Sequence, residues 1–323
     1  DYATKMAFDP YAVGIKHRLI EEAITVAQNK RALIPMVNLT APKIATLSIG
    51  STTKTKFQER LDSYMEARHF NIAHTLKDVD ETSLLKDLKK YERVIISIHQ
   101  MTNKVGSNFG LTTKELTLIQ NINRQNEVIL VIFGSPYSLK YFENIDHILM
   151  AYEDTPETED ITAQGLTGVF GFKGKLPVTA SNIFPCNHGF TTPSLKRMGY
   201  SVPERVGMCS DSLTYISTIA NYMIEIGAAP GCQVLIAKDG RIIYEQAFGS
   251  HTYKDDNPVY LTDLYDIASV TKVAATTLAV MRLHKEGIIS VDKTLGDYLP
   301  WLAGSNKEKM VIRKVMAHHA GLQ

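Results

Sequence analysis

The chain has 323 residues, 44% of them hydrophobic and 21% charged, a composition that suits one to three globular domains. Its 35 Lys and Arg against 34 Asp and Glu leave a formal charge of +1, so no electrostatic pull toward nucleic acid or an anionic membrane is expected. No apolar run approaches the roughly twenty residues that span a bilayer, and Cys186, Cys209 and Cys232 are spaced too widely for a disulfide framework or a zinc pattern.

Residues 11–29 read as a helix. Beyond them, β-branched apolar runs at 43–49, 70–74, 93–98, 127–133 and 147–151 alternate with helix-like spacing at 57–67, 82–91, 113–124 and 138–143. Such alternation, with unbroken apolar strands, predicts a mostly parallel sheet covered by helices on both faces and joined by right-handed crossovers. Gly106-Ser-Asn-Phe-Gly110 reads as a surface loop after one of these strands and lacks a dinucleotide fingerprint. Asp154, Glu157, Glu159 and Asp160 read as a solvated helix start favoured by the helix dipole. Residues 186–212, with Pro193 and Pro203 and little periodicity, read as a linker arm.

In the last third, two alternating apolar runs within 231–249 flank Asp239-Gly240, a two-residue hairpin turn. A strand-like run at 263–267 then leads into Ser269-Val-Thr-Lys272, and an apolar helix-like run at 273–281 leaves it. A serine at that junction sits at a helix N-terminus with its lysine one turn on, on the same face. That is what a serine nucleophile and a lysine base require. The base also needs burial or nearby positive charge to hold it neutral near pH 7, and the apolar run after Lys272 is expected to bury that face. The same spacing recurs at Ser51/Lys54, Ser83/Lys86 and Ser290/Lys293, in polar or charged stretches that do not meet this need. Ser269 and Lys272 are therefore the candidate catalytic residues. The adjacent His318 and His319 would point apart on a helix, and no metal or other cofactor is expected. Trp301, after Pro300, is expected to anchor packing.

Several of these segments also carry family resemblances. The hairpin, Ile267-Ala-Ser-Val-Thr-Lys272, the stretch from Leu283 to Pro300, and Val311-Ile-Arg-Lys-Val-Met-Ala-His-His-Ala-Gly-Leu322 come in the order of the serine β-lactamase and penicillin-binding-protein superfamily. They are nearest its class C and esterase-like branch. The resemblance implies that Ser269 is the acylated nucleophile and Lys272 its proton acceptor. The family's Tyr-x-Asn and Lys/His-x-Gly motifs would lie beyond Gln323, which implies a truncated and inactive domain. The first half resembles the C-terminal α/β sandwich domain of glycoside hydrolase family 3, β-N-acetylglucosaminidase-like. Ile132-Phe-Gly-Ser-Pro-Tyr137 and Gln164-Gly-Leu-Thr-Gly-Val-Phe-Gly-Phe-Lys-Gly-Lys-Leu-Pro177 are its landmarks. In that family the nucleophile lies on a preceding barrel, so no glycosidase nucleophile is expected in this chain.

The expected organisation is a connecting segment from a barrel (1–30), an α/β sandwich (31–185), a linker arm (186–212) and a truncated α+β β-lactamase-like domain (213–323). The resemblances imply a fragment of a bacterial hydrolase whose parent cleaves β-glycosidic bonds in carbohydrate or peptidoglycan-type material. Its sandwich would contact the barrel within the same chain. A periplasmic or secreted location is expected, with a cytoplasmic one as the alternative. The β-lactamase-like part would be a second activity, the main activity (a serine acyl hydrolase or peptidase), or a non-catalytic binding or structural module.

Overall fold

A computed structural model describes residues 9–74, 80–254 and 257–322; the first eight residues of the expected connecting segment lie outside them. Asp9 caps the first helix, α1 (Pro10–Ala23), its carboxylate accepting the Tyr11 N–H at 2.7 Å. The helix stops where Ile24-Thr25-Val26 begins a β-branched run, and the chain becomes strand β1 (Thr25–Asn29). The helix expected over 11–29 is thus shorter, because Thr25, Val26 and Ala27 are buried along a neighbouring strand.

From there β2 (Ile44–Ile49), α2 (Lys56–Asp62), β3 (Arg68–Ile72), α3 (Glu81–Leu88), β4 (Arg93–Ile98) and α4 (Thr113–Gln125) alternate as the spacing predicts. β5 (Glu127–Ile132), β6 (His147–Met150) and α5 (Pro156–Leu166) complete the series. Thr55 and Thr112 start α2 and α4 with reciprocal capping boxes to Gln58 and Glu115. The helix expected at 138–143 is instead a 3-10 turn, Pro136–Tyr141. The predicted loop at 106–110 forms a similar turn that buries Phe109, with Asn108 and Phe109 at positive φ.

The strands form a six-stranded sheet in the order β1-β6-β5-β4-β2-β3, parallel except for β1, which runs antiparallel to β6. Along β4 and β5 successive side chains enter opposite cores: Val94, Ile96, Leu130 and Ile132 meet α3 and α4, while Ile95, Ile129 and Val131 meet α2 and α5. Burial on both faces is why these strands read as continuous apolar runs. The chain runs outward from β2 to β3, crosses back to β4, and continues to β6 on the far side. The connections that leave the C-terminal ends of the paired strands β2 and β4 therefore run in opposite directions, which makes this a topological switch point.

Residues 171–206 run irregularly over this sheet, with hydrogen bonds such as Phe190 N to Val26 O at 2.9 Å. They lead through β7 (Gly199–Tyr200) to α6 (Ser210–Glu225) and the hairpin β8 (Gly231–Lys238) and β9 (Arg241–Gly249). Asp239 and Gly240 both take positive φ at its turn, as the Asp-Gly pair predicts. β7 pairs in parallel with β9. Glu21 of α1 accepts from Arg205 at 2.5 Å and lies 3.1 Å from Arg241. By contacts the chain divides into two compact units, 1–261 and 262–323, so residue 213, the expected start of the last domain, falls inside the first.

Candidate active site

In the second unit the run at 263–267 is irregular rather than a strand; no partner strand meets it among the described residues. Its end is tightly wound. Asp266 Oδ1 accepts the Ala268 N–H at 2.7 Å, and Ala268 takes φ 41°, a left-handed conformation costly for a residue with a Cβ. Three successive turns follow, Val270 N to Ile267 O, Thr271 N to Ala268 O and Lys272 N to Ser269 O, at 2.9, 3.1 and 3.0 Å. They wind the chain directly into a helix. Its first part, Lys272–Thr277, has the wide turns of a π-helix, with Thr277 Oγ1 donating to Lys272 O at 2.9 Å. The rest is α-helix α7 (Leu278–Lys285).

Ser269 thus stands at the mouth of a helix, where partial positive charge favours a developing oxyanion or alkoxide. Lys272 Nζ donates to Ser269 Oγ at 2.8 Å. The two predicted residues are brought together, and the one-turn spacing is the reason. None of the other three Ser/Lys pairs is joined among the described residues. Ser51 Oγ donates to Thr53 O while Lys54 pairs with Asp62; Ser83 N donates to Asp80 Oδ1; Ser290 N donates to Tyr298 Oη.

The expected burial around Lys272 is not found. No residue from 262 to 322 is buried, and Val273 is 67% exposed beside the lysine. Trp301, expected as an anchor, is 75% exposed. The physical reason is common to both. The second unit contributes short helices and turns but no sheet among its described residues, so its apolar side chains have no layer to pack on.

The first unit holds a polar cluster that the sequence did not reveal. The acidic group at 154–160 is not simply a solvated helix start, because neighbouring elements bring it partners: Arg60 Nε donates to Asp160 Oδ1 at 2.6 Å, and His99 Nδ1 to Asp154 Oδ1 at 3.0 Å. Burial pushes the Asp154 carboxyl up, but hydrogen bonds from His99 and the Gln100 N–H outweigh it and hold the group below the usual range. Burial pushes Glu159 above it. The overlooked signal was Ser48 and Ser97, polar residues in otherwise apolar strands, which pair in register and hydrogen-bond at 2.9 Å on the way to His99. The three cysteines are free.

Residues 218–323 match the sequence model of the family described as Beta-lactamase. A "Putative D-alanyl-D-alanine carboxypeptidase" of Escherichia coli K12 is 32% identical over 133 residues, which cover 38% of this chain and 30% of the relative. Protein flp of Staphylococcus aureus is 27% identical over 118 residues, covering 36% of this chain and 24% of the relative. The chain thus spans less than a third of the length of these relatives. Among solved structures, a β-glucosidase from Erythrobacter marinus is similar at TM-score 0.45 and 14% identity, covering 58% of this chain and 36% of its own. A glycoside hydrolase family 3 β-N-acetylglucosaminidase from Paenibacillus is similar at TM-score 0.37 and 14% identity, covering 47% and 29%. These matches are to hydrolase-type families, the two that the sequence motifs resemble, at low identity. No residue role in this chain follows from them.

Proposed function

We propose that residues 218–323 contribute the nucleophile of a serine acyl hydrolase or peptidase acting on amide or ester carbonyls of peptidoglycan type, with Ser269 as nucleophile and Lys272 as base. The observation that carries this reading is the 2.8 Å contact of Lys272 Nζ with Ser269 Oγ at a helix mouth, inside the segment that matches the Beta-lactamase model. With Lys272 as a neutral amine, its lone pair takes the Ser269 hydroxyl proton along that contact as Oγ bonds to the carbonyl carbon. The bond to the leaving nitrogen or oxygen breaks, the leaving group recovers the proton from Lys272, and water then hydrolyses the acyl-serine. The helix N-terminus supports negative charge near Oγ.

The parent protein, on this reading, is a periplasmic or secreted bacterial hydrolase. It also carries a β-N-acetylhexosaminidase-like activity whose retaining carboxylates lie outside this chain. The α/β sandwich is then a supporting domain for that activity. Exposure of most of the helix after Lys272, none of it buried, favours a second reading, in which 218–323 is a non-catalytic binding module. The two separate in one experiment. In the parent, Ser269→Ala abolishes hydrolysis of a chromogenic ester or D-alanyl peptide and leaves chromogenic N-acetylglucosaminide turnover intact if Ser269 is the nucleophile. Acyl hydrolysis that survives the substitution, or that is absent from the unsubstituted parent, removes it from that role.

A further inference from the structure

Three side chains from three segments converge at the C-terminal edge of the parallel sheet: His99 just past β4, Asp154 past β6, and Glu159 in the first turn of α5. His99 Nδ1 lies 3.0 Å from Asp154 Oδ1 and 3.7 Å from Glu159 Oε1, and ligand atoms of all three lie within 4.8 Å of one another. Donors bound at about 2.0–2.2 Å to one ion sit roughly 3.0–3.6 Å from their neighbours in octahedral or tetrahedral geometry. The histidine therefore already stands at ligand spacing from Asp154 and just beyond it from Glu159.

Each donor is also held from behind. The His99 ring is 3% exposed and stacks on Phe133 with centroids 4.8 Å apart, which fixes its plane. Its Nε2 lies 2.9 Å from Ser97 Oγ, which in turn lies 2.9 Å from Ser48 Oγ. A metal ion would displace the Nδ1 proton now shared with Asp154 and leave the ring proton on Nε2, donated to Ser97. Asp154 Oδ2 accepts the Gln100 N–H at 2.6 Å, and Glu159 Oε2 accepts the Phe57 N–H at 3.0 Å. In both carboxylates one oxygen is tied to backbone and the other is turned toward Nδ1. This is the outer-shell support that metal ligands carry.

The charge balance agrees. Two carboxylates, 24% and 12% exposed, share a single imidazole, and among the described residues no Lys or Arg forms an ion pair with either. Burying such a pair without a cation is costly. We propose that His99, Asp154 and Glu159 bind a divalent transition metal of the zinc class, through Nδ1 and one oxygen from each carboxylate. The mixed nitrogen and oxygen donor set suits such an ion better than magnesium or calcium. Three protein ligands leave a position for water, which the partial exposure of Asp154 opens to solvent. His99 follows β4 at the switch point, where the connections after β2 and β4 run in opposite directions and open sheets of this kind bind ligands.

The test uses the whole chain, stripped with a chelator and titrated with Co²⁺ and then Zn²⁺. One equivalent of Co²⁺ should give visible d–d bands without a thiolate charge-transfer band, and Zn²⁺ should bleach them. Asp154→Asn and Glu159→Gln should each weaken binding at least about tenfold, and Ser97→Ala, which spares every ligand, by about tenfold. Circular dichroism and the urea midpoint, read alongside, should show that Glu159→Gln remains folded. Three outcomes overturn the proposal: no stoichiometric binding by the folded chain, a thiolate band that places the ion on cysteine, or affinity unchanged in both carboxylate variants.

Discussion

Lys272 Nζ donates to Ser269 Oγ across 2.8 Å in the first turn of a helix with open flanks, so the pair is set by local winding rather than by a surrounding core. A general base worth about 10²–10⁴-fold is expected at this position. In the proposed parent, Lys272→Ala should therefore slow acylation of Ser269 by about that factor while leaving the peptide-binding KM little changed. Burst kinetics with an activated ester measures it. A rate equal to that of the unsubstituted protein would leave Lys272 as no more than a neighbour.

Gly50 ends β2 at φ +99°, and a Cβ there would meet His99 O at 2.6 Å and His74 Nε2 at 2.7 Å. His74 is not free to retreat: its ring also contacts buried Glu115 at 2.7 Å, a bond that holds the imidazole above its usual pKa. Gly50→Ala should lower stability by at least about 1–2 kcal/mol from the backbone conformation alone. A urea midpoint within error of the original would show that the turn relaxes freely.

Ile96 sits fully buried in β4, between β2 and β5, in the core lined by α3 and α4. Ile96→Ala should cost about 2–5 kcal/mol through lost burial and the cavity left behind. The same substitution at exposed Val273 of the second unit should change stability by less than about 0.5 kcal/mol. Chemical denaturation of both variants compares the two environments directly, and equal losses would refute the contrast.

His147 is fully buried in β6; its Nδ1 donates to Asn29 Oδ1 at 3.2 Å and its Nε2 has no partner. Burial pushes its pKa below the ordinary histidine value, against Glu127 and Asp146 and with Arg31 and Arg93. The unfolded chain then binds this proton more tightly than the folded one, so stability is full above about pH 6.5 and falls as pH drops through it. His147→Asn keeps a donor toward Asn29 and removes the titration. From about pH 7.5 to 5.5 the original protein should lose more stability than the variant, by up to roughly 1.4 kcal/mol per pH unit below the unfolded pKa. Parallel curves would place the proton elsewhere.

The central strands were legible because Val94–Ile98 and Val128–Ile132 are apolar at every position but Ser97, a pattern that only a sheet buried on both sides explains. β1 was not, because the β-branched run Ile24-Thr25-Val26 is short and followed by Ala27-Gln28-Asn29, and the segment becomes a strand by pairing with β6. The contact between Ser269 and Lys272 was legible because helical winding alone places residues three apart together. The environment of Lys272 was not, since burial depends on what packs against a segment. His99 and Asp154 stand 55 residues apart and meet only through sheet order, so no spacing announced them.

The most direct measurement is peptide mass spectrometry on the proposed parent after exposure to a serine-reactive acylating probe. The account predicts one adduct, on the peptide carrying Ser269, lost in Ser269→Ala and absent from the peptides carrying Ser51, Ser83 and Ser290. An adduct on another residue of 218–323 with Ser269 unmodified, or labelling that persists after the substitution, would contradict it.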